Sequence, residues 1–130
     1  MDIPFDLLYI VASFYTKPKM KLLDWIPEDK LKWDVLSENS NAIHLLEQNL
    51  DNINWEYLSY NPNAIHILEK HMDEIDWDWL TRNSNAIHLL EKHPEKIKWG
   101  WLSQNPSIFE IDTLQTNLEL TTKAKNIDYV

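Results

Sequence analysis

The chain has 130 residues, enough for one domain, and 44% of them are hydrophobic, enough for a packed core. A net charge of −9 opposes a phosphate backbone, the absence of Cys excludes disulfides and thiol chemistry, and a single Gly leaves no Gly-rich phosphate cradle. No apolar run reaches the roughly 20 residues of a membrane span, and Asp2 and Asp6 stand where a signal peptide needs positive charge, so a soluble, intracellular chain without nucleic-acid or membrane partners is expected.

Residues 4 to 15, PFDLLYIVASFY, are apolar almost all round and predict a helix that caps one end of the remaining chain, with Pro4 in its first turn. After a break at Thr16 to Lys19, the stretch Leu22 to Trp33 matches Leu89 to Trp99 with one extra residue, so a repeat array opens with half a unit. Trp33, Trp55, Trp77 and Trp99 then stand 22 residues apart. With them recur Leu36, Leu58, Leu80 and Leu102, then Asn39, Asn61, Asn83 and Asn105, then the Asn-Ala-Ile-His blocks that begin at Asn41, Asn63 and Asn85. An unbroken period is the signature of one supersecondary unit stacked on copies of itself.

Within each unit the pattern predicts a short helix A from the Trp to just before the Asn. Asp76 can cap this helix at Trp77, and Ile75 with Leu80 forms a hydrophobic staple that Leu31/Leu36, Ile53/Leu58 and Ile97/Leu102 repeat. The repeated Trp and Leu residues form the expected core. Asn61 followed by Pro62 marks a break and restart, and helix B is expected from there to about His71, with Pro94 stopping it one unit later. Such helices are only about 14 Å long and depend on the stack for stability. The expected fold is all-α, a short α-solenoid of two-helix repeats.

A leucine-rich repeat shares the period and an L-x-x-N element. Its strand needs an apolar residue where this chain has Asp34, Glu56, Asp78 and Gly100, so the helical reading is preferred. Ser107 to Asp112 is expected to start a last, altered helix B that closes the array. The domain plan is thus a cap over residues 1–19, repeats over 20–112, and a polar C-terminal cap or flexible tail over 113–130.

The units W-x-x-L-S-x-N-[PS]-N-A-I-H-L-L-E and the closing Asn105-Pro106-Ser107-Ile108-Phe109-Glu110-Ile111-Asp112 resemble a tandem-repeat family of giant double-stranded DNA viruses. Most members of that family have no assigned activity. The resemblance implies a protein of the infected cell, in the host cytoplasm or the virion. Ile3 to Val11 also resembles the first helix of an F-box, which implies a substrate adaptor for a host ubiquitin ligase.

Three sets of residues invite a functional reading. His44, His66 and His88, each with a carboxylate three residues on, form a row. Stacked helices lie about 8–10 Å apart, too far for equivalent residues to share a metal within about 2.1 Å, so a solvated face of i,i+3 pairs is expected and neither metal nor cofactor. The Asn row is explained by turns and side-chain hydrogen bonds along the stack. Third, Val35, Tyr57, Trp79 and Trp101, with Glu38, Tyr60, Arg82 and Gln104 three residues later, share a helical face that varies while the core does not. That ridge either packs between units or, through Tyr57, Tyr60, Trp79, Arg82 and Trp101, holds a protein partner. No nucleophile, base and oxyanion group come together, so no enzyme is expected. The expected function is a protein-binding scaffold, with a ligase adaptor or a structural virion component as alternatives and self-association through the array ends open.

Overall fold

The computed structural model describes Pro4 and residues 19–127. The expected N-terminal capping helix, with its F-box likeness, lies outside the described residues. The described residues are helical without any strand, so the leucine-rich alternative lacks its defining element. The helices are α1 (Trp33–Glu38), α2 (Ile43–Glu47), α3 (Trp55–Tyr60), α4 (Ile65–Lys70), α5 (Trp77–Arg82), α6 (Ile87–Lys92), α7 (Trp99–Leu102) and α8 (Thr113–Ile127). Four of them, α1, α3, α5 and α7, are the A helices; α2, α4 and α6 are the B helices. The fold is a short α-solenoid.

Each A helix starts where the sequence predicts. Asp76 is extended and its carboxylate accepts from the N–H groups of Asp78 (3.0 Å) and Trp79 (3.1 Å); Asn54 does the same for Tyr57 (3.1 Å). Each B helix is shorter than expected. It begins after Ala42, Ala64 or Ala86 and not at Pro62, because Asn61 Oδ1 turns back to the N–H of Asn63 (3.1 Å) and spends Pro62 in the turn. A third element comes after it in each of the first three units, a one-turn 3-10 helix at Leu50–Asn52, Met72–Glu74 and Pro94–Lys96. Glu28–Lys30 is the same turn in the opening half-unit.

Contacts between units run mainly from A helix to A helix, α1 on α3, α3 on α5 and α5 on α7. Beneath them one continuous core contains Leu46, Leu58, Leu68, Leu80 and Leu90, all at most 1% exposed, with Ala64 and Ala86. Trp33, Trp55 and Trp77 are half-buried against it, and Leu36 and Leu102 are half-buried at the ends. His71 and His93 cover Trp55 and Trp77, with ring centroids 5.2 and 5.0 Å apart.

Two expectations need correction at the C-terminal end. Trp99, expected in the core, is 67% exposed, because its unit lacks the second half that covers Trp55 and Trp77. The last helix B does not form: Pro106–Ile108 is a 3-10 turn and residues 109–112 are irregular. Here Asp112 replaces the buried Leu90 and Ile108 replaces the buried Ala86, so the segment has no apolar anchor and too large a side chain at its start. The segment expected as a C-terminal cap or flexible tail is helical over Thr113–Ile127, capped by Asp112 Oδ1 on the N–H of Gln115 (2.9 Å) and exposed along its length.

Candidate functional site

The Asn row is the frame on which the site is mounted. Asn61, Asn83 and Asn105 are at most 2% exposed. Asn83 Nδ2 donates to the carbonyls of Ser59 and Asn61, both at 2.9 Å, and Asn105 Nδ2 to those of Thr81 and Asn83, both at 3.0 Å. Asn61 Nδ2 reaches Ser37 O at 2.9 Å. Each Oδ1 accepts from the backbone two residues on, so both ends of the amide are used. These rungs tie one unit to the next, as capping alone would not.

A second ladder runs beside it. Ser37, Ser59 and Thr81 are fully buried, and each hydroxyl donates to the carbonyl four residues back, at 2.7–2.8 Å. The hydroxyls of Ser37 and Ser59 also accept the N–H of Asn54 and Asp76 in the following unit, each at 3.0 Å. Sequence reading passed over these residues, although they recur with the same period as the Asn. Among the described residues, no buried side-chain nitrogen or oxygen lacks a partner.

On the outer face of the A helices, the varying residues come together. Trp79 meets Tyr57 and Tyr60 edge-on, with centroids 6.1 and 6.0 Å apart, and its Nε1–H donates to Glu56 Oε1 at 2.7 Å. The Arg82 guanidinium lies over Tyr60, Trp79 and Trp101 at 5.5, 5.1 and 5.0 Å from their centroids. Thus the ridge does pack between units, and it stays open to solvent. Tyr57, Tyr60, Trp79 and Arg82 are half-buried and Trp101 is 42% exposed. Val35, on the same face, stands 67% exposed. Among the described residues Arg82 has no carboxylate within 4.0 Å; Asp78 pairs instead with Lys98 at 3.7 Å.

The His row pairs differently from expectation. His66 Nε2 meets Glu47 of the preceding unit at 2.7 Å and His88 Nε2 meets Glu69 at 3.1 Å, while the within-unit pair His44–Glu47 is 4.0 Å apart. Stacking at a period of 22 brings the carboxylate 19 residues back nearer than the one three residues on. An open groove of about 490 Å³ beside this row is lined by Ile43, His44, Glu47, Asn63 and His66. Among the described residues no three His, Asp or Glu side chains gather as a metal site requires, and no helix is long and apolar enough to cross a membrane.

The geometry defines a class of protein, a short all-α solenoid of stacked units with an aromatic ridge on one layer of helices. Comparison of the chain with family models, curated proteins and solved structures found no match.

Proposed function

We propose that the chain is a non-catalytic scaffold that holds a protein partner along the ridge of Tyr57, Tyr60, Trp79, Arg82 and Trp101. The observation that carries this reading is the cation of Arg82, held over three rings and left without a carboxylate among the described residues. Trp, Tyr and Arg are the residues that dominate binding energy at protein interfaces. Rings and guanidinium already fixed by each other lose little freedom when a partner arrives. The Asn and hydroxyl ladders hold the A helices that carry them, so the ridge is presented on a rigid frame. The repeat motif's resemblance to giant-virus proteins supports a setting in the infected cell.

The test is affinity capture with the full chain and with an Arg82→Ala/Trp101→Ala variant, each checked by circular dichroism. Partners held by the full chain are expected to be lost from the still-helical variant by at least tenfold. Equal capture by both would overturn the assignment of the ridge.

A further inference from the structure

The side-chain amide rung recurs across all three unit boundaries with residue numbers raised by 22, and at both ends of the array its counterpart is unmade among the described residues. At the first unit Asn39 is exposed, and its Nδ2 donates to no carbonyl among the described residues, whereas Asn61, Asn83 and Asn105 all do so. The N–H of Lys32, equivalent to those of Asn54 and Asp76, meets no hydroxyl among the described residues, as is also true of Lys98 at the last inner boundary. At the final unit the carbonyls of Ser103 and Asn105 receive no side-chain amide, and Ser103 Oγ, bonded to Trp99 O at 2.8 Å, receives no N–H, again among the described residues. What one end offers the other end lacks.

Surface chemistry shows the same division. Between residues 55 and 98 no large apolar side chain is exposed, while Val35 (67%), Trp99 (67%) and Trp101 (42%) stand exposed at the two ends. A hollow of about 250 Å³ lined by Leu31, Val35 and Leu36 marks the first end, and one of about 400 Å³ lined by Trp99, Trp101 and Gln104 marks the other. The final unit holds helix A and the Asn turn but no helix B and no following 3-10 turn. The array begins with that 3-10 turn, Glu28–Lys30, in register with the later three. Set end to end, the final unit of one array and the opening half-unit of another supply complementary parts of a unit.

We infer that a second copy of this chain docks head to tail, with α1 of one copy on α7 of the other. Asn39 Nδ2 then donates to the carbonyls of Ser103 and Asn105, as Asn83 does to Ser59 and Asn61. The Lys32 N–H donates to Ser103 Oγ, as Asp76 does to Ser59. Val35 packs on Trp101 in the place that Trp79 takes against Tyr57. The contact is heterologous, so each added copy leaves a fresh pair of ends and the assembly grows as a chain of copies.

Sedimentation velocity on the full chain, from about 1 μM to about 1 mM, covers the affinities expected of such a contact. Average mass is expected to climb at least twofold from the 15.6 kDa of one copy. Val35→Glu, which blocks the first end, and Trp101→Glu, which blocks the last, should each sediment as one copy with helical content retained. An equimolar mixture of the two should form dimers and nothing larger, because one intact end of each kind remains. Asn39→Asp, at an exposed position, replaces Val35→Glu if that variant fails to fold. Leu118→Lys on α8 should assemble like the parent. A parent chain that stays at one copy throughout, end variants that assemble unchanged, a mixture that stays monomeric, or loss of assembly in Leu118→Lys would each overturn the proposal.

Discussion

In the third unit Leu80, Leu90 and Asn83 are at most 1% exposed, whereas in the fourth the equivalent Leu102 is half-buried and Trp99 is 67% exposed. The two units open with the same W-x-W-L pattern and have the same Asn. Burial therefore comes from the neighbours. Leu80 lies under helices α3 and α7 on either side, and Asn83 both donates to the preceding unit and accepts at its carbonyl from Asn105. Among the described residues the fourth unit has a stacked repeat on one side only. Stability in such a stack is a sum of weak units and strong interfaces, so the same substitution should cost different amounts along the array.

Leucine truncation breaks the comparison hardest. Leu80→Ala should cost roughly 2–5 kcal/mol in urea denaturation, the range for a buried leucine that leaves a cavity. Leu102→Ala, with less area to lose, should cost about half as much or less. Equal losses would mean that the end unit is packed like the inner ones.

The Asn rungs sharpen it next. Asn83→Ala removes a donor from two carbonyls and an acceptor from the N–H of Asn85, and should cost about 2–4 kcal/mol. Asn39→Ala removes, among the described residues, an exposed bond to the N–H of Asn41 alone and should cost under about 0.5 kcal/mol. A costly Asn39→Ala would show a rung whose amide is used in the isolated chain.

The smallest effect belongs to the His row. His88→Ala breaks a pair whose side chains are 52% and 44% exposed, and should change stability by less than about 0.5 kcal/mol. A larger loss would give that face a part in holding the stack.

Much of the stack was legible in the sequence because helix A carries its own punctuation. Asp76 caps it, the staple brackets it, and Trp and Leu three apart set its buried face. The 3-10 turns were not legible, since three residues such as Met72–Glu74 show no period of their own. Helix B was predicted too long because Pro62 suits the first turn of a helix as well as a turn before one. The irregular last unit was signalled by Asp112 in the place of a buried Leu, yet read as a changed helix. Helix α8 escaped because it is exposed along its length and carries no strong apolar stripe; its local propensity and the Asp112 cap are what form it.

The candidate site was legible as a set of residues and not as a set of contacts. Tyr57, Tyr60, Trp79, Arg82 and Trp101 stand out because they vary on a face where the core does not. Their stacking on one another depends on how far each unit turns relative to the last, which the period does not contain. The His–Glu pairs could have been found by subtracting the three-residue helical offset from the period, which points to the carboxylate 19 residues back. The burial of Ser37, Ser59 and Thr81 is not legible in their residue type, because hydroxyls are commonly exposed and stacking is what buries them here.

The most direct test of neighbour-supplied stability is native-state amide hydrogen exchange, read residue by residue at a concentration low enough to keep copies apart. Protection is expected to peak at the buried amides of Leu58, Leu68, Leu80 and Leu90, to fall at Leu36 and Leu102, and to be least along α8. A flat profile from Leu36 to Leu102, or protection greatest in α8, would contradict the account.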